Sequence, residues 1–419
     1  MGFALSLSGL NGAARAIDVI GNNIANSQTV GFKSSKARFA DVLAASLPGD
    51  VPGVNIGHGV STAIIRPQMT EGNLSVTDNP LDMAITGLGF FRLNNSGSVT
   101  YSRDGQFRLV HDAASPDKLL LVNRTGLNVT GYPATYGTDP LGTIDTAALP
   151  QNLGIDTTMP AAATTAVSLS ANLDSREPVP LVPFAVGNVQ SYNATTLAAV
   201  YDDTGATHDL RMYFVRSAPG SLWQMYSTMD GGAPNGPVAL NFDTEGKLLT
   251  TMPLASQSYA LGSGGSLSIA LDLAGVVQYG QVFSVDSLSQ DGYGVGTIDS
   301  VSGFSVGSDG VIQGQYTNGQ VRKVGQIVLA NFVNPDALIN LGDGQWTENF
   351  DPVSGSGKVT LSVPGGAGLG ALQGSAVEQS NVDLSNELVA LIEQQRNYQA
   401  SAQTFKILDQ VLQDLANIR

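Results

Sequence analysis

Hydrophobic residues at both ends of the chain repeat with alternating spacings of three and four, the pattern of one apolar seam along a helix. The N-terminal seam predicts a helix of about 24 residues, roughly 36 Å long. Its positions are Phe3, Leu7, Leu10, Ala14, Ile17, Gly21 and Ile24. The C-terminal seam comprises Leu384, Leu388, Leu391, Gln395, Tyr398, Ala402, Phe405, Leu408, Leu412 and Leu415. Asp383 precedes it and is the expected N-cap, because its carboxylate can accept from free backbone N–H groups.

Three asparagines interrupt the N-terminal pattern in the segment NNIANSQTVGFK, just before Gly31. Asparagine suits helix ends and left-handed turns because its side chain replaces backbone hydrogen bonds. A buried asparagine also sets the register between helices in coiled coils. Two interpretations therefore stay open for Asn22, Asn23 and Asn26: local capping, or polar contacts that set the register between copies of the chain.

Between the predicted helices, apolar residues alternate with polar ones around glycine-bearing turns, which is typical of hairpins. The clearest hairpin segments are Phe91–Val110, Leu210–Asp230 and Val238–Leu249. The pattern predicts a mainly β chain with nested antiparallel β domains, barrel-like or sandwich-like, and terminal helices paired in a coiled-coil-like inner domain. The expected divisions are 1–30 with 377–419 as the inner helical domain, 31–70 with 358–376 as a connecting segment, 71–145 with 289–357 as a β domain, and 146–288 as an inserted outer β domain.

The two terminal helices are expected to run antiparallel, because the chain leaves the first helix into the β domains and returns from them into the last. If the two termini lie together, facing residues have numbers that sum to about 420, within one turn of roughly four residues. This register places Leu7 near Leu412 and Ile24 near Tyr398. Seams of this length also favour packing against neighbouring copies, since lone helices are marginal in water.

Composition narrows the classes of partner. The net charge is -15 and the chain has no run of Lys or Arg, so we expect neither nucleic acid nor a membrane as a partner. Cysteine is absent, which excludes disulfides and thiolate chemistry and suits any redox compartment. The first residues lack a basic residue before Arg15 and a long apolar core, so we expect export without a cleaved signal peptide.

Candidate chemistry is sparse. His58, His111 and His208 lie far apart in the chain, and none has a second histidine at metal-ligand spacing. The segment YDDTGATHD around His208 favours a hairpin turn over a metal site, because Asp and Gly dominate turns. Serine-nucleophile and nucleotide-binding patterns are also missing. We therefore expect no catalytic, cofactor-binding or metal-binding residues, and a non-enzymatic protein.

The terminal blocks carry a family resemblance. SGLNGAARAIDVIGNNIANSQTVGFKSSKARFADVL resembles the opening of the bacterial flagellar rod, hook and hook-associated proteins, and SNVDLSNELVALIEQQRNYQASAQTFKILDQVL is similar to their closing segment. Ser401 replaces the asparagine that the family usually has before Ala402. Within the family, the central segments YSRDGQFRL, GYPA, YDDTGATHDLRMYFV and VGQIVLANFVN resemble the hook branch, and a length of 419 residues suits that branch better than the distal rod branch, which lacks the inserted outer domain.

This resemblance implies a structural subunit that self-assembles into the helical tube of the flagellar hook, a flexible universal joint between rod and filament. It implies copies of the chain itself, the distal rod protein, the hook cap protein, the hook–filament junction protein and the type III export apparatus as partners. Both seams, with Asn22, Asn23 and Asn26, form the expected assembly interface. The alternatives are another axial protein of the family or an extracellular β-rich adhesin.

Overall fold

A computed structural model of the chain describes most of its residues. The described ranges are 2–41, 59–95, 97–136, 139, 141–217, 221–262, 264–298, 303–351, 353 and 355–417. The chain folds as two compact units. Unit 1 contains Met1–Thr157, Asp299–Gln315 and Val321–Arg419, and unit 2 contains Thr158–Ile298 and Tyr316–Gln320. Unit 2 is therefore inserted in sequence within unit 1.

The terminal helices form as the periodicity predicts. Helix α1 covers Gly2–Ala25, which is 24 residues, and helix α2 covers Leu384–Asn417, which is 34 residues. The Oδ1 atom of Asp383 accepts from the backbone N–H of Ser385 at 3.0 Å and of Asn386 at 3.2 Å. The predicted N-cap is thus confirmed, because these donors would otherwise lack a partner in the first helical turn.

Strands fill the chain between the helices. The first part of unit 1 contains β1 (Ser35–Asp41), β2 (Val60–Pro67), β3 (Leu74–Val76), β4 (Met83–Thr86), β5 (Phe90–Asn95), β6 (Ser98–Ser102), β7 (Phe107–His111), β8 (Lys118–Asn123), β9 (Asn128–Thr135), β10 (Thr143–Ile144), β11 (Gln151–Asn152) and β12 (Gly154–Asp156). Unit 2 contains β13 (Thr158–Met159), β14 (Ala166–Asp174), β15 (Ala194–Tyr201), β16 (Thr207–Arg216), β17 (Leu222–Met229), β18 (Asn235–Asn241), β19 (Gln257–Ala260), β20 (Ser266–Tyr279), β21 (Ser284–Gln290) and β22 (Gly296–Thr297). The chain completes unit 1 with β23 (Phe304–Val306), β24 (Val311–Gln315), β25 (Val321–Ile327), β26 (Leu329–Phe332), β27 (Ile339–Gly342), β28 (Gln345–Thr347), β29 (Val359–Ser362), β30 (Ala371–Gly374) and β31 (Ala376–Glu378).

The large sheet of unit 1 combines strands from both halves of that unit. Its main path runs β23-β24-β25-β9-β5-β6-β28-β27, so strands from before and after the insertion lie side by side. An aromatic cluster packs on it, with the rings of Tyr101 and Phe332 edge to face at a centroid distance of 4.8 Å. Two small pairings, β3 with β31 and β4 with β30, join the segment after α1 to the segment before α2. The segment after α1 and the segment before α2, which we call the two arms, thus meet inside unit 1.

Unit 2 is a two-sheet sandwich. One sheet has the order β15-β16-β17-β18 and the other has the order β19-β20-β14-β21. The buried side chains of both sheets form one core, in which Trp223 and Phe214 are fully buried. The hairpin predicted over Leu210–Asp230 is present as β16 and β17. The prediction of antiparallel pairing holds for most strands, but β14 and β20 pair in parallel. These two strands are joined by a long connection, which a parallel pair requires.

The segment around His208 forms a turn with an ionic cluster at its base. Asp202 accepts from the backbone N–H of Thr204 at 3.0 Å and of Ala206 at 2.8 Å, which confirms the predicted turn. The imidazole Nδ1 of His208 lies 2.7 Å from Asp230 Oδ2, and its Nε2 lies 3.4 Å from Asp202 Oδ2. Hydrogen bonding to Asp230, aided by Asp202, raises the pKa of His208 above its ordinary value against the opposing effect of burial.

The raised pKa makes the stability of unit 2 depend on pH. Because the folded state binds the His208 proton more tightly than the unfolded state, this stabilisation is complete below the unfolded pKa of about 6.5 and is lost as pH rises through the folded value. We expect the melting temperature of unit 2 to fall between about pH 6 and pH 8 in the wild type, and this part of the fall to vanish in His208→Asn. His111→Asn changes an exposed histidine of unit 1 and serves as the control. An unchanged pH profile in His208→Asn would contradict the assignment.

Candidate assembly surface and the junction of the arms

The face of α1 that packs within the chain is built from small residues. Gly12, Ala13 and Ala16 are buried, and Gly9 lies opposite Ser401 of α2. A Cβ built on Gly9 would lie 3.2 Å from Ser401 Oγ, and one built on Gly12 would lie 3.5 Å from the ring of Phe39. Small side chains let the helix approach both α2 and the β1–β2 hairpin closely, so this stripe fixes the packing of α1.

The predicted seam of α1 lies one residue away from that stripe. Leu7 is 43% exposed, and Gly21 is exposed with no atom within 4 Å of a built Cβ. The other seam residues whose side chains are described are half-buried: Leu10, Ala14, Ile17 and Ile24. The side chain of Phe3 lies outside the described residues. Contacts within the chain therefore cover this seam only in part, and its residues keep surface that is exposed to solvent.

Helix α2 is more exposed than α1. The seam residues Leu384, Leu388 and Tyr398 are 45%, 44% and 37% exposed, and Gln395 is exposed too. Leu391, Ala402, Phe405 and Leu408 are half-buried, and the side chains of Leu412 and Leu415 lie outside the described residues. Ile392 and Ile407, outside the predicted seam, are 52% and 59% exposed. Large apolar groups in water are typical of a surface that another protein covers.

The helices run antiparallel as predicted, but the predicted register is wrong. Asn23 bonds to Glu387, and Gly9 faces Ser401, so facing residue numbers sum to 410 rather than 420. The helices are aligned at the ends that face the β strands, where Asn23 and Asp383 lie, and not at the chain termini. Because α2 is ten residues longer than α1, its last turns extend beyond the start of α1.

This register predicts a specific disulfide. Cysteines at positions 9 and 401 should cross-link within one chain, because the built Cβ of Gly9 lies 3.9 Å from Ser401 Cβ, within the range that disulfides span. Cysteines at positions 10 and 412 serve as the matched control. Residue 412 is some twelve residues, or about 18 Å of helix, from the expected partner of residue 10. Mass analysis separates links within a chain from links between chains, and preferential linkage of 10 with 412 within a chain would refute the register.

The asparagines of the motif have separate roles. The Nδ2 of Asn26 donates to the carbonyl of Asn22 at 3.0 Å, so local capping is confirmed for Asn26. Asn23 is 1% exposed and exchanges two hydrogen bonds of 2.9 Å with the backbone N–H and carbonyl of Ser35. Its Nδ2 also donates to Glu387 Oε1 at 3.2 Å. Asn23 therefore links α1, β1 and α2 within one chain, a role that neither sequence interpretation included.

Beyond the asparagines, a buried ionic cluster joins the two arms. Lys33 Nζ lies 2.5 Å from Glu378 Oε1, and Arg103 Nη1 lies 3.2 Å from Glu378 Oε2. The three side chains are at most 3% exposed. The backbone N–H of Gly72 also donates to Glu378 Oε1, at 2.8 Å. Burial lowers the pKa of Lys33 and of Arg103, while the Glu378 carboxylate opposes that effect. Sequence reasoning did not identify this cluster, because Glu378 is 345 positions from Lys33 and 275 positions from Arg103.

Two further contacts hold the same junction. Asn381 Oδ1 accepts from the backbone N–H of Ser34 at 2.7 Å, and its Nδ2 donates to the carbonyl of Gln68 at 2.8 Å. Gly31 has φ of +69°, and a Cβ there would lie 2.5 Å from the backbone nitrogen of Asp104, so only glycine fits. The GFK segment thus meets the segment from Glu378 to Asn381 at the junction between the arms, where the backbone N–H of Gly31 donates to the carbonyl of Glu378 at 2.8 Å.

Two kinds of feature are absent from the part of the chain that the structure describes. It contains no group of three or more His, Asp or Glu side chains placed to hold a metal ion. Among the described helices, none is long and apolar enough to cross a membrane. The fold and the exposed helix pair instead define a class: a β-domain structural protein whose two chain ends meet in a helical module suited to assembly.

Comparison with known proteins gives the family. The chain is 41% identical over 428 residues to the flagellar hook protein FlgE of Escherichia coli strain K12, and 39% identical over 429 residues to that of Salmonella typhimurium strain LT2, with 100% of both chains covered in each case. The flagellar hook protein of Borreliella burgdorferi is 30% identical over 449 residues, which cover 99% of this chain and 98% of that protein. The chain belongs to the flagellar hook protein family.

Family models and a solved structure complete the comparison. The model for the flagellar basal body protein FlaE D2 domain matches residues 172–293, within unit 2. The flagella basal body rod protein model matches residues 5–33, and the flagellar basal body rod FlgEFG protein C-terminal model matches residues 373–418. The crystal structure of Helicobacter pylori flagellar hook protein FlgE2 matches with a TM-score of 0.49 and 15% identity, covering 71% of this chain and 99% of that one.

Proposed function

We propose that this chain self-assembles into the helical tube of the bacterial flagellar hook and acts there as a flexible joint that transmits torque from rod to filament. The observation that carries the proposal is the α1–α2 pair, which leaves Leu7, Leu388 and Ile392 exposed along two helices at the chain ends. Full burial of such a side chain contributes roughly 1.5–3 kcal/mol, and because these three are 43%, 44% and 52% exposed, about half of that contribution is still available for assembly. Burial between copies of the chain therefore favours a polymer over a monomer.

Further parts of the proposal concern partners and location. The tube would meet the distal rod protein at one end and the hook–filament junction protein at the other, grow under a hook cap protein, and receive subunits from the flagellar type III export apparatus. The subunit would work outside the cell after export without a cleaved signal peptide, and without catalytic activity. The net charge of -15 supports the absence of nucleic acid and membrane from this set.

The proposal also assigns roles to the predicted segments. Residues 1–30 and 377–419 would supply the inner contacts, 31–70 and 358–376 would connect them to the β domain of 71–145 and 289–357, and 146–288 would form an outer domain. The assembly interface would comprise both predicted seams. A joint must let subunits change their spacing, so contacts made by the outer domain should be polar and small in area.

Electron microscopy of the purified chain under assembly conditions tests the function. Curved tubes are the expected result. Straight tubes would favour another axial protein of the family, such as the distal rod protein. This alternative is considered because the family models that match the two chain ends are named for rod proteins. A chain that forms no polymer at any concentration would contradict the proposal.

A further inference from the structure

One face of the β1–β2 hairpin carries three cations. Lys36 lies directly opposite Arg66 in the antiparallel register, and Arg38 lies on the same face because side chains alternate along a strand. Like charges directly opposite each other destabilise a strand pair. Within the described residues, none of the three forms a salt bridge that would offset this repulsion. This face therefore carries positive charge that no acidic side chain of the described residues neutralises.

A groove lies at the base of this hairpin, and we call it the basic groove. It consists of two adjoining cavities of about 270 and 370 Å³ that share Arg66, Pro67 and Asp336. Lys36 and Arg38 line the smaller cavity, and Trp346 lines the larger one. Asp336 is the acidic residue among the lining residues, so the groove as a whole is cationic.

Two N–H donors in the basic groove lack acceptors. Arg66 Nε and Trp346 Nε1 are buried and form no hydrogen bond with any described residue. Trp346 is 3% exposed and lines the larger cavity, so its indole forms part of the wall of the groove. A buried donor without a partner costs about 1–3 kcal/mol. Both atoms have almost no solvent-accessible surface, so they lie inside the wall of the groove and not on its open surface.

The distribution of charge along the chain indicates a source of carboxylates for the groove. Residues 1–70 contain five basic and three acidic residues, for a net charge of +2, whereas residues 71–419 contain fifteen basic and thirty-two acidic residues, for a net charge of -17. A second copy of this chain thus presents a dense supply of carboxylates to the N-terminal segment of the first. Complementary potentials of this kind steer and orient association.

We propose that the basic groove binds carboxylate side chains of a second copy of this chain, and so sets an electrostatic contact between neighbouring subunits. The inference rests on the proposed self-assembly and adds a contact outside the predicted helix seams. A carboxylate between Lys36 and Arg66 relieves the repulsion between these two opposite cations. The contact weakens as salt screens the charges.

The first experiment compares two variants with the same net charge. Lys36→Gln, Arg38→Gln and Arg66→Gln together remove the cations of the groove, and Arg108→Gln, Lys323→Gln and Lys358→Gln together remove three exposed cations elsewhere in unit 1. The critical concentration for polymerisation is measured by sedimentation. We expect it to rise by about fivefold or more in the groove variant and by less than about twofold in the control. Added salt should raise it in the wild type and have a weaker effect in the groove variant.

The second experiment uses Trp346 as a reporter. The chain has two tryptophans, and Trp223 lies fully buried in unit 2. Subtracting the fluorescence emission of Trp346→Phe from that of the wild type therefore leaves the emission of Trp346 in the groove. This difference signal should change on assembly of the wild type.

Lys36→Arg with Arg38→Lys keeps both charges and should assemble like the wild type. Thermal unfolding of each soluble variant separates loss of contact from loss of folding.

The outcomes separate this inference from the proposed function. If the wild type forms no polymer, the proposed function fails. If the wild type polymerises but the groove variant and the control behave alike, or the Trp346 signal is the same in monomer and polymer, the groove holds solvent only and the inference is overturned. If the groove variant alone loses assembly while its monomer melts like the wild type, the inference is supported.

Discussion

A chain shortened after Asp383 should no longer form any polymer, while the β strands of both units stay folded. The cut removes α2, which carries most of the exposed apolar groups at the chain ends, including Leu388 and Ile392. The core of unit 2 and the aromatic cluster of unit 1 contain no residue of α2, so they keep their packing. Helix α1 loses its partner, and a lone helix of this length is marginal in water.

Sedimentation measures the loss of polymer, and circular dichroism measures the loss of helix beyond the deleted residues. A second variant, shortened after Ala376, provides the comparison. It also removes Val377 and Glu378, which the sequence pattern assigns to the helical domain of 377–419 but which belong to strand β31 in the structure. Because these residues are buried in unit 1, this variant should lose stability as well as assembly. Tubes formed by the chain that ends at Asp383 would contradict the role assigned to α2.

The variant Glu378→Gln should destabilise unit 1 by about 3–5 kcal/mol, because it leaves Lys33 and Arg103 buried beside a neutral amide. Glu378 is fully buried, and both of its carboxylate oxygens accept charged hydrogen bonds. A loss of this size should lower the melting temperature of unit 1 by about 10 °C. Calorimetry of the full chain measures the effect.

Glu393→Gln is the matched control, since it removes the same charge from an exposed position on α2 and should leave the melting temperature nearly unchanged. Adding Lys33→Met to Glu378→Gln removes one of the two unpaired cations and should recover part of the lost stability. If Glu378→Gln melts like the wild type, the cluster does not hold the arms together. Equal losses in Glu378→Gln and Glu393→Gln would point to net charge instead.

The amino-acid sequence by itself determined the features that depend on neighbouring residues. The periodicity of Leu10, Ala14 and Ile17 predicted α1, and Asp383 marked the first turn of α2, because helices and their caps form from groups within a few positions of one another. The hairpin over Leu210–Asp230 follows from alternation around a glycine turn in the same way. Family motifs at both ends were recognisable for a related reason, since their residues are contiguous.

Only the tertiary structure decided how distant segments meet. The helix register, in which facing residue numbers sum to 410, and the packing of α1 one residue away from its apolar seam depend on where the β strands of unit 1 place the two arms. The parallel pairing of β14 with β20 depends on how distant strands meet within unit 2. Lys33 and Glu378 are 345 positions apart, and no local pattern marks either as buried. Burial of a charge is stabilised only by a partner brought close in space. That partner is set by packing across the whole of unit 1, which a linear pattern does not encode.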